Sequence, residues 1–462
     1  MKVDSAPSVL DSGKLSTHWL FRVFGKPRVE FTAVVSAEEH LGLVSNTISE
    51  KAIGIYVHVP YCKSICMFCP YFKRIPRDRA EIEKYFSALL REVEVYGKIL
   101  EGKELDVVEV HVGGGTPSLV PPRLYKGLLE KLSEYFNVKC GIGIEANPED
   151  LGSRSYVEEL YSSGVSEVSI GVQSFDSRVL KSIGRKHKPE DNIKAVENSL
   201  NAGFDWVNVD LMFLTPSIKN YVEISREEAL RAFTGDLARS FELGVHQITY
   251  YATVIPEGSP GYKLVELGRL HQNLEAIEDF VLTALEFAER RGLHLVRVYS
   301  ISKKYYEYAT VNLEMVGPLL GFGAGSWSNT GFYQYVNIHD VAKYVESVSK
   351  GAPPAMYTRR LSRSSRAWRV FFDQLSTARV SSGVFKAVGL RGIPVVATML
   401  LKAMELTGLA EKKGDSYVLT KRGIVEVYKL VMNYVVEVPV KATRIFEALS
   451  KAEKVPQHIS IS

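Results

Sequence analysis

The run "IGIYVHVPYCKSICMFCPYF" (residues 53–72) decides how the rest of this chain is read. It opens as a β-branched strand over "IGIYVHV" (53–59), and where the strand runs out Cys62, Cys66 and Cys69 follow within eight positions. Their spacing is C-x3-C-x2-C. Three thiols are one short of a closed tetrahedral metal site and one more than a disulfide needs. Thiolates are soft ligands that suit iron–sulfur clusters or zinc. A 4Fe–4S cube normally takes four cysteines, so three would leave one iron open to a small molecule. A zinc reading instead recruits His58 as the fourth ligand of a closed Cys3His site.

Working outward, the strand motif repeats. Similar runs stand at "DVVEVHV" (106–112), "GIGIEA" (141–146), "SEVSIGV" (166–172), "DWVNVDL" (205–211) and "HQITYYA" (246–252). Helical patterns such as "RAEIEKYFSALLREVEVYG" separate them, with Pro, Ser or Asp at several starts and Gly after several ends. Six strand-then-helix units imply a parallel sheet covered by helices, because each parallel connection needs a crossover. Polar residues fall where the strands end: His58, Gly113–Gly115, Glu145, Gln173 and Asp210. In a barrel those ends share one face; in a doubly wound open sheet they share one edge. The pattern alone leaves the two open.

The glycine run in "HVGGGTPSL" (111–119) removes side chains where another molecule must approach the backbone, though such a run is most often only a turn. Asp210, taken singly, reads equally as the cap of the next helix. Arg185 in "SIGRKHKPED" reads by default as one more solvated base, and His187 beside it as exposed. Cys140, in "NVKCGIGIE", reads as an inert thiol buried at a strand start.

The 462 residues carry 57 bases against 53 acids, a balance too even to point to nucleic acid. No nucleic-acid partner is expected. The opening residues show no continuous apolar signal region, and no apolar run is long enough to span a bilayer, so a cytoplasmic location is expected. Clustered thiols in that reducing compartment more often bind metal than form disulfides.

Past residue 350 the strand–helix rhythm stops. "GAPPAMYTRRLSRSSRAWR" (351–369) reads as a linker or domain edge. Helical sequence, a short extended piece ("SYVLTKRG") and another helix then suggest a winged-helix-like domain over 351–462. The division expected is therefore an N-terminal extension (1–50) draped over a barrel (51–350), followed by that domain. Arg359, Arg360, Arg363, Arg366 and Arg369, with Trp368, read as a solvated face. A sharper alternative has some of them neutralise the carboxylates of an acidic tetrapyrrole.

The three-cysteine spacing, with Phe68 before the last cysteine, resembles the signature of radical S-adenosylmethionine (SAM) enzymes. With "YVHVPYC", "GGGTPSL", "IEANPEDL", "GVQSFD", "VNVDLMF" and the later "GFGAGSWS" (321–328), it is similar to the family of oxygen-independent coproporphyrinogen III oxidase and its heme-chaperone relatives. The resemblance covers about residues 52–345. It implies a partial (β/α)6 radical SAM barrel. It also implies a 4Fe–4S cluster on Cys62, Cys66 and Cys69, whose open iron is chelated by SAM. One electron from the cluster would split SAM into methionine and a 5′-deoxyadenosyl radical that takes a hydrogen atom from the substrate. Tyr56 and Phe68 match positions near the cofactor, and Gly114, Gly115 and Thr116 match the segment at its methionine end. Glu145, Gln173, Arg185 and Asp210 match polar contacts to it, and Ala252 matches a backbone contact to adenine. Implied partners are a tetrapyrrole-like substrate or heme, and a low-potential electron donor such as ferredoxin or flavodoxin.

The chain also departs from the family. The oxidase branch carries a further cysteine where Tyr71 stands here. The chaperone branch carries a histidine and a tryptophan in the region that here reads "ISKKYYEYATVNLEMVG" (301–317), with Tyr305, Tyr306 and Tyr308 but neither of those residues. Three hypotheses follow: a radical SAM enzyme acting on a tetrapyrrole (an oxidoreductase of the oxidase type, or a heme methyltransferase or heme-degrading enzyme), a heme-binding chaperone, and a zinc-stapled barrel.

Overall fold

The computed structural model describes residues 29–306 and 316–461. All six sequence-predicted strands form and lie side by side in chain order. They are Ala52–Val59 (β1), Asp106–Gly114 (β2), Ile142–Ala146 (β3), Val165–Gln173 (β4), Trp206–Phe213 (β5) and Gln247–Ala252 (β6). Every neighbouring pair is parallel. Chain-order adjacency settles the choice the pattern left open, because a doubly wound sheet reverses its strand order part-way across. Leu319–Phe322 adds a parallel strand on the free side of β1, and Ser300–Ser302 runs antiparallel beside β6. The path of the sheet ends at His294–Arg297 on one side and His458–Ile461 on the other, among the described residues, so the barrel is partial.

Strand alternation sorts the side chains. Ile53, Ile55, Val57 and Val59 of β1 are fully buried, as are Val112 of β2, Val168, Ile170 and Val172 of β4, and Val207 and Val209 of β5; all belong to the core under the helices. The alternate positions carry Tyr56, His58, His111, Glu145, Ser169, Asn208, Asp210 and Thr249, which face the inside. The helices follow from local signals. Arg79–Leu100 starts at Asp78, whose carboxylate accepts the Glu81 N–H at 2.9 Å, and it buries Ile82, Tyr85, Phe86, Leu89, Val93 and Tyr96 at helical spacing. Pro189–Ala202 and Arg226–Leu243 end on Gly203 and Gly244, both left-handed.

The stretch read as a linker is not one. Ala355–Arg360 is a strand paired with Tyr333–Asn337 and Val29–Ala33, and Arg363–Ser376 is a helix capped by Ser362. The prolines stop at Pro354, before the strand, and the serine that suggested a loop is a helix cap. Beyond it, Arg379–Ser381, Ser416–Leu419 and Ala410–Lys413 form a small antiparallel sheet among helices, the winged-helix-like arrangement expected. The long helix Lys421–Lys451 returns to the barrel, and the chain ends in a strand on Val29–Ala33. No helix among the described residues is long and apolar enough to cross a membrane.

Candidate functional site

The cysteine loop begins where β1 ends and is sewn to the barrel at both ends. The Arg74 N–H donates to Pro60 O (2.7 Å) and the Cys62 N–H to Arg74 O (3.0 Å), closing a ring that contains all three cysteines. Inside it the Cys69 N–H donates to Cys66 O, and Lys73 Nζ holds Cys69 O at 2.6 Å. The four cysteines form no disulfide. Phe68 and Met67 pack on Ile218, Ile255 and Leu270, which anchors the far side of the loop.

His58 sits beneath the loop with both ring nitrogens engaged. Nδ1 lies 3.0 Å from Tyr56 Oη and Nε2 3.1 Å from Phe72 O. A ring held by two hydrogen bonds is not turned toward the thiols, so the fourth ligand of the zinc alternative is missing from its place. Cys62, Cys66 and Cys69 lie within electrostatic reach of one another inside the ring. Burial pushes the Cys62 thiol up to about 11, with Thr116 hydrogen-bonded to it, and burial also raises Cys69. The Arg185 guanidinium stands 3.2 Å from Cys66 Sγ and places a positive charge beside the loop.

The glycine run meets the loop from β2. The Gly115 N–H donates to Val59 O and the Thr116 N–H to Tyr61 O, each at 2.7 Å. A Cβ on Gly115 would lie 2.5 Å from Tyr61 O, and one on Gly114, at φ +111°, would strike the His58 ring. The run is therefore more than a turn: it is the close approach of two backbones, which only glycine permits.

Next around the barrel comes a pair of carboxylates. Glu145 accepts the Gly114 N–H at 3.1 Å and lies 3.4 Å from His111 Nε2. Burial alone would raise it, but His111 and that N–H outweigh burial and hold it below the usual range. Asp210 is gripped by Ser169 Oγ (2.9 Å) and Asn208 Nδ2 (3.0 Å), and Thr249 Oγ1 donates to Asn208 Oδ1. Burial, and then the charge of Glu145, push Asp210 up to about 7 against the pull of those bonds. Two neighbouring carboxyls thus differ in their readiness to carry a proton.

Arg185 joins them from the ends of β3 and β4. Its Nη2 donates to Asn147 Oδ1 (3.0 Å) and Gly171 O (2.9 Å) while Nη1 faces Cys66, so it is not a free surface base. Gln173 closes β4 at φ +63°, with its amide folded over Gly171 beside that guanidinium. Ala252 ends β6, buried, with its N–H donated to Tyr428 Oη at 3.0 Å. The structure thus places Cys62, Cys66, Cys69, Gly114–Thr116, Glu145, Gln173, Arg185 and Ala252 at or beyond the C-terminal ends of the parallel strands, with Tyr56 and Asp210 further in along β1 and β5.

Some expectations are corrected. His187 is buried, not exposed: its Nε2 bonds Val172 O at 3.2 Å, because the chain folds it under the turn after β4. Cys140 is half-buried, its thiol near Val107 O. The basic tract lies at the wrong end for a role in the mouth. Register runs from Gly54 at the start of β1 through Leu319, Asn329 and Gln334 to Arg359, opposite the cysteines. Arg366 is buried against Glu50. Tyr308 lies outside the described residues. Asn147, His111, Ser169 and Asn208 join the site without standing out in the sequence, although each strand position among them follows from alternation counted back from a residue that does.

The model of the Radical SAM superfamily matches residues 56–224, which include the three cysteines, the glycine run, Glu145, Gln173, Arg185 and Asp210 but not Ala252. The chain carries a radical SAM domain. Relatives include the heme chaperone HemW of Bacillus subtilis (strain 168), 26% identical over 80% of this chain and 95% of that protein. The oxygen-independent coproporphyrinogen III oxidase of Pseudomonas aeruginosa is 26% identical over 70% of this chain and 71% of its own. Anaerobilin synthase of Escherichia coli O157:H7 is 25% identical over 75% and 78%. The solved structure of coproporphyrinogen III oxidase (HemN) from Escherichia coli aligns with a TM-score of 0.70 at 21% identity, covering 87% of this chain and 94% of that one. That likeness establishes the fold. A radical SAM domain implies a 4Fe–4S cluster and SAM, and the clustered thiols, the engaged His58 and the neighbouring guanidinium fit that pair.

Proposed function

We propose that this protein holds a 4Fe–4S cluster on Cys62, Cys66 and Cys69, binds SAM at the open iron, and works on a tetrapyrrole-class ligand. The observation that carries the reading is the meeting of three unbridged thiols with the Arg185 guanidinium and the Gly113–Gly115 backbone at one end of the barrel. When bound, the cluster and SAM supply a one-electron cleavage that yields a 5′-deoxyadenosyl radical. The chain's residues do the rest. Tyr56, Phe68 and the Gly114–Thr116 segment shape the methionine end, and Arg185 with Gln173 faces the cofactor's carboxylate side. Glu145 accepts from ribose hydroxyl or ammonium groups, Asp210 does the same in its ionised form, and the Ala252 backbone meets the base. The electron comes from a low-potential carrier of the ferredoxin or flavodoxin kind in the reducing cytoplasm.

The ligand class rests on the relatives and on one feature of the mouth. Tyr251 and Tyr299 stack at 5.9 Å between ring centres, and Tyr71 and Asp210 lie within electrostatic reach of Tyr251. A wall of phenol rings beside the carboxylates suits a flat conjugated ligand. Tyr71, at the position of the oxidase branch's extra cysteine, favours a second reading in which heme is held and passed on without radical turnover.

Anaerobic reconstitution with iron and sulfide, then reduction in the presence of SAM, tests the proposal. Formation of 5′-deoxyadenosine is expected, and Cys62→Ser should abolish it with the barrel still folded; Cys140→Ser should leave the iron content unchanged. Failure to assemble a cuboidal cluster at the loop overturns the reading. A rise in 5′-deoxyadenosine with an added porphyrinogen or heme marks an enzyme, whereas tightly bound, transferable heme with no such rise marks the chaperone.

A further inference from the structure

Gln173 is a non-glycine residue at φ +63°, and the Ser174 N–H donates back to Val172 O at 2.8 Å. That is the three-residue turn with a positive central φ, rare in proteins because it is strained. Such a turn persists only where its surroundings over-determine it. Here four buried polar side chains do so. Asn192 Nδ2 donates to both Val172 O (3.3 Å) and Ser174 O (2.9 Å), and His187 Nε2 adds a third bond to Val172 O. On the other side one Asp236 carboxylate takes both remaining donors: Ser174 Oγ–H at 2.6 Å and the Phe175 N–H at 2.6 Å. Ser174 Oγ in turn accepts the Asp176 N–H at 3.0 Å. Asn192 and Ser174 are fully buried and Asp236 is 2% exposed.

The strain has a product. A Cβ on Gly171 would lie 2.8 Å from Gln173 Nε2 and 2.9 Å from Arg185 Nη2, so the turn folds the Gln173 amide back over Gly171 against the guanidinium that faces Cys66. An extended residue at 173 would point to the same face as Gly171 but about 6.6 Å further along the strand, and would not fold back over it. Neither Asp236 nor Asn192 comes from the strand-end motifs; they stand on the helices Arg226–Leu243 and Pro189–Ala202 packed outside.

We propose that Asp236, with Asn192, is a positioning residue: it clamps the strained turn from behind the barrel wall and so sets the Gln173 amide beside Arg185 where SAM binds. The proposal rests on the cofactor reading above. Its test is a double-mutant cycle on the anaerobically reconstituted protein, with SAM binding read by equilibrium dialysis and exchange of the Ser174 and Phe175 amides as a second readout. Asp236→Ala should weaken SAM binding about tenfold, within the range for networked neighbours, and speed exchange at both amides. Asp236→Asn, which keeps an oxygen for Phe175 and an amide for Ser174, should restore most of the affinity. In a Gln173→Gly background, where the turn is unstrained and the amide absent, adding Asp236→Ala should cost less than about twofold more. An equal loss in both backgrounds, or no loss in the first, overturns the clamp. If Asp236→Ala does not fold, Ser174→Ala cuts the same link by one oxygen and is read the same way. A wild-type protein that binds no SAM sinks the cofactor reading instead, and the two amides still report on the clamp.

Discussion

Arg185 Nη1 lies 3.2 Å from Cys66 Sγ while the other end of the same guanidinium is fixed on Asn147 Oδ1 and Gly171 O. The fork is thus pre-set and costs little to hold against the sulfur. An N–H aimed at a cluster thiolate, and a positive charge beside it, stabilise the more negative, reduced state. Arg185→Leu should therefore leave the iron content intact and lower the cluster's reduction midpoint, with Arg185→Lys falling between. A redox titration followed by electron paramagnetic resonance checks this, and an unmoved midpoint would show that the contact has no electronic consequence.

Two glycines of one run should respond differently to the same methyl group. At Gly115 the added Cβ meets the Tyr61 backbone (2.5 and 2.8 Å) and Val59 O, none of which can swing aside. Gly115→Ala should cost about 1–3 kcal/mol and disturb the entry to Cys62. At Gly113 the obstacle is the end of the Glu145 side chain at 2.9 Å, which can rotate. Gly113→Ala should leave the melting temperature nearly unchanged and weaken SAM binding by moving Glu145. Thermal melts beside equilibrium dialysis separate the two effects, and matching losses of stability would refute the distinction.

Those glycines also show what the sequence could reveal. Strand ends are legible because apolar alternation breaks off into polar residues, and that pattern by itself puts His58, Glu145, Gln173 and Asp210 on one face. What pins those residues is not legible. Asp236 reads as one acid within an ordinary amphipathic helix, and its role needs the packing of that helix on the turn after β4. Glu92 is a similar case. It looks like a solvated helix charge, yet it is fully buried and accepts from Gly323 and Asn337 at strand ends and from Tyr344 on the helix Val341–Ser349, all separated from it by more than two hundred residues. The linker misreading has the opposite cause: composition at 351–369 resembles a loop, while its alternation, with Ala355 and Tyr357 buried, is that of a strand.

The basic tract gives a negative prediction. Arg359 Nε is bonded to Gln334 Oε1 at 2.6 Å, and Arg360 lies 3.7 Å from Glu39, at the end of the sheet away from the cysteines. Replacing both with Ala should leave porphyrin or heme affinity within about twofold, since screened charges beyond a Debye length of ~8–10 Å contribute little. A large loss in a direct titration would mean that the ligand binds at the far end and not in the barrel mouth.

His40 offers a pH test well away from the cysteine loop. It is buried between two phenols, Nδ1 at 2.8 Å from Tyr333 Oη and Nε2 at 2.9 Å from Tyr96 Oη, with the Tyr335 ring 4.7 Å off. Burial lowers it from the usual 6.5 to about 4. Its folded value thus lies below its unfolded one, so between those two values the unfolded chain binds the proton that the folded chain refuses. The stabilisation is present above about pH 6.5 and is lost as pH falls toward 4. Buried Asp236 and Glu92, and the half-buried Asp210, each raised to about 7, act with the opposite sign and lose stability as pH rises through that value. They are unchanged by a substitution at residue 40, so comparing wild type with His40→Gln isolates the histidine. Between pH 7 and pH 5 the wild type should lose about 2 kcal/mol more than His40→Gln, whose amide can still bond one phenol from each end. Urea midpoints at the two pH values provide the measurement. Parallel pH profiles for the two proteins would mean that His40 is already protonated, or solvated, in the folded chain.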